Sequence, residues 1–291
     1  MDNLSDLVMP IAIGLIMFGI GLELCFDDFR RVFTHPKSVI VGLGCQLLLL
    51  PFLAFVLIYF WPMEPMYKIG IMVIAACPGG TSSNVVSKML KGNVALAISL
   101  TAFNSFIILF TIPLIVEISF QVFATDGHVV DLEFWNTVKQ VLFTVVLPVL
   151  AGIIVSESVS PKTRKNFHRP LKFILPSILL LSFLFVIFLD DSGKDINYLQ
   201  KLPLYIPLIL LNVATMTAGF FTAKTLGLPH QTNFTIAIEI GLQNSVLAIF
   251  IGNQILESSE VSLIAILYST FSFVSTFLVA YLLKKTKSEK K

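Results

Sequence analysis

The sequence predicts an all-α polytopic membrane protein with about nine transmembrane helices. Of its 291 residues, 56% are hydrophobic and only 13% are charged, whereas soluble domains carry about 25% charged residues. The apolar residues also form continuous runs of about 20 residues, long enough to cross a hydrocarbon layer of ~30 Å. These runs do not alternate apolar and polar residues as barrel strands do, so helices are predicted.

Nine apolar runs follow one another along the chain, and we expect one membrane domain that spans residues 1–291. The fifth and sixth runs are the shortest. In order, the predicted spans are 7–25, 38–60, 68–90, 93–118, 137–156, 172–189, 203–223, 232–254 and 261–283.

The distribution of basic residues predicts the orientation. Alternate loops and the C-terminal tail hold 16 of the lysines and arginines, and the opposite loops hold 4. Basic residues favour the cytoplasmic side, so we expect an outside N-terminus and a cytoplasmic C-terminus in the plasma membrane, or the inner membrane of a bacterium. The basic tail is read as a topology anchor, with lipid-headgroup recognition as the alternative. The acidic start, MDNLSDL, does not resemble a cleavable signal peptide.

The third and eighth spans are each interrupted in mid-membrane by a short polar stretch. The first interruption reads CPGGTSSN from Cys77, and the second reads EIGLQNS from Glu239. Proline followed by two glycines cannot continue a regular helix without losing hydrogen bonds. Each broken span is followed by one further span that closes its half, a pattern that indicates an inverted repeat. Paired broken helices of this kind point to the binding site of a transporter.

Each break creates two half-helices whose ends meet inside the membrane. The last carbonyls of the first half-helix attract a cation, and the free N–H groups of the second half-helix attract an anion. If the two breaks cross, cation and anion positions lie side by side. This arrangement favours coupled transport of a cation with an organic anion.

Glu239 lies near the centre of its span, where an ionised carboxylate costs at least a few kcal/mol unless it is paired. No lysine or arginine lies at comparable depth in another span. Its partner is therefore a bound cation, a proton, or backbone and amide donors that hold the break in shape. Polar residues that could supply oxygen ligands, at the breaks or in other spans, are Ser83, Asn84, Gln243, Gln46, Thr101 and Asn104.

Enzyme signatures are absent from the chain. It has no phosphate-binding P-loop, no HExxH and no GxSxG motif. The three cysteines show no paired spacing, so a disulfide framework is not expected. We expect no enzyme activity, no cofactor other than a coupling ion, and no nucleic-acid partner. The expected partners are sodium ions, a small organic anion and the lipid bilayer.

Four stretches resemble the bile acid:sodium symporter family: GLIMFGIGLEL, FDDFRRVFTHPKSVIVG, CPGGTSSNVVSKMLKGNVALAISLT and IEIGLQNS. The resemblance implies a nine-span form in which a panel domain moves against a core domain during alternating access. The core would hold helices in 38–118 and 203–260. The panel would hold helices in 7–25, 137–189 and 261–283.

The resemblance also implies two sodium sites. The family ligands of the first site fall on Ser83, Asn84, Thr101 and Glu239. Another family ligand, a serine, falls on Ala97, so the first site is short of one oxygen. Either water or Asn104 replaces it, or the first site is weak. The family ligands of the second site fall on Glu239, Gln243, Gln46 and the carbonyls of Ile240 and Leu242.

For the anion, the resemblance implies contacts from Thr81, Ser82 and Asn244. The last span reads YSTFSFVST, with phenylalanines where some relatives carry polar residues. We therefore expect a sodium-coupled symporter of a bile acid-like anion or of a smaller carboxylate or sulfonate. The alternatives are a proton-coupled or uncoupled anion carrier of the same fold and a non-transporting membrane receptor.

Overall fold

A computed structural model of the chain describes residues 11, 14–22, 24, 36–124, 134–159 and 201–286. The secondary structure of these residues is helical, apart from the connecting turns and one isolated backbone bridge. The all-α fold expected from the sequence is therefore confirmed for this part of the chain.

We number the helices of the described ranges in chain order. They are α1 (14–22), α2 (Pro36–Tyr59), α3 (Pro65–Ala76), α4 (Thr81–Met89), α5 (Val94–Phe123), α6 (134–158), α7 (Leu202–Thr225), α8 (His230–Gly241), α9 (Ser245–Ile255) and α10 (Ser259–Lys285).

Five of these helices, α2, α5, α6, α7 and α10, are long and apolar enough to cross a membrane. They coincide with the second, fourth, fifth, seventh and ninth predicted spans. The first predicted span is described only in part, as α1, and the sixth lies outside the described residues. The count of nine spans and the orientation of the termini therefore stay predictions.

The third and eighth predicted spans are each divided into two helices, as the sequence predicted. α3 ends at Ala76 and α4 begins at Thr81. Cys77 takes an extended conformation, with φ −70° and ψ 152°, just before Pro78. α8 ends at Gly241, and Leu242 leaves the helix with φ −117° and ψ 94°. Both breaks are therefore abrupt exits from the helix.

The helices around the two breaks pack closely on one another. α7 lies along α8, and α5 contacts α3, α4 and α8. α10 packs against α3, α7, α8 and α9, although the expected division assigned 261–283 to the panel. That division into core and panel stays a prediction.

α2 contains a π-helical turn, Cys45–Leu49, that packs against α8. Pro51 follows this turn and has no N–H to donate, so the preceding backbone must shift its hydrogen-bond register. A similar π-helical turn, Leu142–Val146, precedes Pro148 in α6. The turn in α2 carries Gln46, and single π-turns in helices frequently occur at functional sites.

A buried polar network anchors the end of α8 to α7 and α10. The Gly241 carbonyl accepts from the Asn212 side-chain amide at 2.7 Å, the Tyr268 hydroxyl at 2.8 Å and the Thr276 hydroxyl at 3.0 Å. The side-chain oxygen Oδ1 of Asn212 in turn accepts a hydrogen bond from the Ser275 hydroxyl at 2.7 Å. This network fixes the carbonyl end of α8, where the second break begins.

Replacing Asn212 should therefore destabilise the protein. We expect Asn212→Leu to lower the free energy of unfolding by about 1–2 kcal/mol, because buried partners lose their hydrogen bonds. The measurement is the thermal unfolding midpoint of purified protein in detergent. The control is Thr217→Val on the same helix, where the hydroxyl only bonds back to Val213. Equal midpoints for the two variants would contradict the anchoring role.

Candidate functional site

The two breaks cross each other and are joined by backbone hydrogen bonds. The Gly80 N–H donates to the Leu242 carbonyl at 3.0 Å, and the Asn244 N–H donates to the Pro78 carbonyl at 2.8 Å. Gly79 and Gln243 form an isolated antiparallel bridge. Four backbone groups that the breaks remove from helices thus find partners, as the membrane interior requires.

Gly79 is the point where the first break meets the side chain of Glu239. A Cβ atom added at Gly79 would lie 2.3 Å from Glu239 Oε1 and 2.8 Å from its Cδ. Real Cβ atoms essentially never approach other heavy atoms so closely. The carboxyl group of the second break therefore occupies the space that a side chain at Gly79 would need.

Glu239 is fully buried, and its two carboxyl oxygens have different surroundings. Oε1 accepts a hydrogen bond of 2.5 Å from the Thr101 hydroxyl, whereas Oε2 has no hydrogen-bond partner in the described part of the chain. The Ser83 hydroxyl also lies close to the Glu239 carboxyl, although it donates to the Gly80 carbonyl at 2.7 Å. No described lysine or arginine interacts with the carboxylate. A buried charge in this situation demands a cation or a proton.

Other buried polar atoms near the crossing also lack partners among the described residues. Gln46 and Asn104 have both side-chain amide atoms unpartnered, and Asn84 Oδ1 and Gln243 Oε1 are unpartnered as well. The Gln243 amide nitrogen donates to the Ile240 carbonyl at 2.8 Å, so its oxygen is left free to bind. Buried polar atoms without a partner are rare and indicate an absent ion or water.

The elements that carry these residues pack around the crossing. Ser83 and Asn84 lie in the first turn of α4, and Thr101 lies on α5. Gln46 lies in the π-helical turn of α2, whose Cys45 belongs to the same apolar cluster as Ile240. The Leu242 carbonyl takes part in the crossing itself, through the bond from Gly80.

The polar side chains around the end of α8 therefore fall into two groups. On the side of α7 and α10, the Asn212 network is internally hydrogen bonded. On the side of α5 and the π-helical turn, amide and carboxyl oxygens have no hydrogen-bond partner among the residues that the structure describes. Oxygen atoms that could coordinate a cation are consequently found on the second side.

The donors predicted for an anion lie at the starts of α4 and α9. Ser82 is exposed in the first turn of α4, where N–H groups lack helical partners. The side chain of Thr81 lies outside the described part of the structure. Asn244 uses its side-chain oxygen to cap α9, accepting from the Leu247 N–H at 3.1 Å. The cap uses only the side-chain oxygen, so the amide nitrogen of Asn244 is not needed for it.

The sequence analysis did not identify the Asn212 network. An asparagine in the apolar stretch LILLNVATM was the signal that could have indicated it. Tyr268 and Thr276 lie in the segment YSTFSFVST, and no separate role was predicted for either residue. Their fully buried hydroxyls bond to the carbonyl end of α8.

The chain is similar in sequence to known transporters over most of its length. It is 30% identical over 238 residues to the uncharacterized sodium-dependent transporter YocS of Bacillus subtilis, covering 81% of this chain and 71% of that protein. It is 25% identical over 286 residues to the human ileal sodium/bile acid cotransporter, covering 96% and 79%.

A plant relative matches over a smaller share of its own length. The probable chloroplastic sodium/metabolite cotransporter BASS2 of Oryza sativa is 29% identical over 250 residues, covering 85% of this chain and 57% of that protein. The chain thus spans less than two thirds of the rice protein. The sequence model of the Sodium Bile acid symporter family matches residues 10–199, which is more than half of the chain. With its crossed helix breaks and its several apolar helices, the chain is a multi-pass membrane protein that belongs to this family of transporters, not to an enzyme family.

Proposed function

We propose that the protein is a sodium-coupled symporter of an organic anion that works by alternating access. The observation that carries the proposal is the buried carboxyl group of Glu239 at the crossing of two broken helices. One of its oxygens has no hydrogen-bond partner in the described ranges of the chain. The relatives are described as a sodium-dependent transporter and as sodium cotransporters, which supports sodium as the coupling ion.

The chemistry of the surrounding atoms favours a singly charged, hard cation. The described residues contain no cluster of three or more histidine, cysteine or acidic side chains. One carboxylate with neutral oxygens around it balances a monovalent ion better than a divalent one, which prefers more anionic ligands. Sodium needs oxygen ligands only, and these are what the crossing offers.

We assign two sodium sites that share Glu239. The ligands of the first site are Ser83, Asn84, Thr101 and Glu239. The ligands of the second site are Gln46, Gln243, Glu239 and the carbonyls of Ile240 and Leu242. The unpartnered oxygens of Gln46, Asn84, Glu239 and Gln243 support this assignment.

The coupling of sodium binding to anion binding follows from which helices supply the sodium ligands. Because they come from both breaks and from two other helices, bound sodium would hold the starts of α4 and α9 in one arrangement. Thr81, Ser82 and Asn244 would then present N–H donors to an anion. A cation that stabilises the anion-binding arrangement raises anion affinity, and the reverse holds equally. Two sodium ions with one monoanion would make transport electrogenic.

The substrate class we propose is a bile acid-like anion or a smaller carboxylate or sulfonate. The relatives carry descriptions that range from bile acid to metabolite cotransport. A screen of thermal stability, with carboxylates and sulfonates added with and without sodium, would identify the anion. Ligand binding raises the unfolding midpoint by mass action, and a coupled anion should raise it mainly when sodium is present.

A proton-coupled carrier of the same fold is the second candidate. It is favoured by the same lone carboxylate, since a proton would also neutralise Glu239 at the crossing. Uptake driven by a sodium gradient at fixed pH, and then by a pH gradient without sodium, distinguishes the two.

We expect Glu239→Gln to abolish sodium-driven uptake of the identified anion, because the amide removes the charge that balances sodium. Uptake into proteoliposomes should fall to the level of empty vesicles. The matched control is Glu117→Gln, at a solvent- or lipid-accessible position of α5, which should retain wild-type uptake. Full sodium dependence in Glu239→Gln would refute the assignment.

Gly79→Ala should weaken sodium binding, because the new Cβ would meet the Glu239 carboxyl at 2.3 Å. The matched control is Gly80→Ala, where the nearest atom to a Cβ is 3.7 Å away. We expect the sodium-induced rise in unfolding midpoint to disappear in the first variant and to remain in the second. The same response in both variants would show that the contact has no role in binding.

A further inference from the structure

We propose that Asn104 is a ligand of the sodium ion coordinated by Thr101 and Glu239, a role that rests on the proposed function. Asn104 lies within α5 and is fully buried. Neither Oδ1 nor Nδ2 of its side chain has a hydrogen-bond partner among the described residues. An amide buried without partners costs about 1–3 kcal/mol, so its retention needs an explanation.

The position of Asn104 along α5 places it on the site's side of the helix. Ala97, Thr101 and Asn104 are spaced i, i+4 and i+7 and therefore form one stripe. Thr101 fixes the direction of that stripe, because its hydroxyl donates to Glu239 Oε1 at 2.5 Å. Asn104 is about 4.5 Å further along the axis at 1.5 Å per residue, within reach of a cation held near Thr101.

Buried polar side chains with a structural role form hydrogen bonds, as other residues of α5 and α7 show. The Ser105 hydroxyl bonds back to the Thr101 carbonyl at 2.8 Å, and the Ser119 hydroxyl bonds back to the Ile115 carbonyl at 2.5 Å. Asn212, the fully buried asparagine of α7, uses both ends of its amide. Within the described part of the chain, Asn104 is the one of these four residues whose side chain makes no hydrogen bond.

The stripe has a second informative member. Ala97 is fully buried on the same face but offers no oxygen. Thr101 and Asn104 are thus the side-chain oxygens that the stripe supplies to the cation. An oxygen introduced at residue 97 would approach from the opposite side of Thr101, about 6 Å along the axis from it. It could therefore replace the one from Asn104 at the same ion.

The experiment is a sodium titration of the thermal unfolding midpoint of the full chain, with choline holding the ionic strength constant. Asn104→Ala should raise the apparent Kd for sodium at least tenfold. Ser105→Ala, the neighbouring control, should leave it within twofold of wild type. Adding Ala97→Ser to Asn104→Ala should recover at least threefold of the lost affinity, whereas adding it to Gln46→Ala should recover none.

The outcomes separate this inference from the proposed function. A wild-type protein that sodium does not stabilise would refute the proposed function itself. Sodium stabilisation that is equal in wild type and Asn104→Ala would refute only the role of Asn104. Weakened binding without rescue by Ala97→Ser, or with equal rescue of Gln46→Ala, would also overturn it, since the amide would then act through packing or water. Midpoints in choline alone report any loss of folding.

Discussion

The antiparallel crossing of the two helix breaks is the contact on which the rest of the site depends. Hydrogen bonds from Gly80 to Leu242 and from Asn244 to Pro78 satisfy the exposed backbone and fix the relative position of the two halves. The same contact brings the carboxyl of Glu239 against Gly79. A buried carboxyl group and the starts of two short helices are therefore held together at the crossing, and a membrane interior would make each of them costly alone.

Hydrogen bonds are distributed unevenly around the end of α8. On the proposed function, one face of this helix end is fixed and the other binds the cations. Asn212 and Tyr268 bond the end of α8 firmly to α7 and α10. On the opposite face, Gln46 and Asn104 have no partners among the described residues. Cations bound on this face would interact with these polar atoms and stabilise the breaks there. Cation binding and ordering of the breaks would then be coupled.

Parts of this arrangement were predictable from the sequence, for physical reasons. Proline with two glycines must break a helix, and a mid-membrane glutamate must have a partner, so both breaks and the importance of Glu239 followed from local chemistry. Thr101 was ambiguous, since a threonine can bond back within its own helix; the structure shows it donating to Glu239 across 138 residues of sequence. The crossing and the Asn212 network could not be predicted locally, because both join residues far apart in the chain.

Hydrogen–deuterium exchange of the full chain in sodium, compared with potassium at equal ionic strength, tests the central claim most directly. We expect slower exchange in sodium at residues 77–84 and 239–245, with little change in α7 and α10. Exchange at the two breaks that is the same in sodium and potassium would contradict the account, because the crossing would then be ordered without the ion.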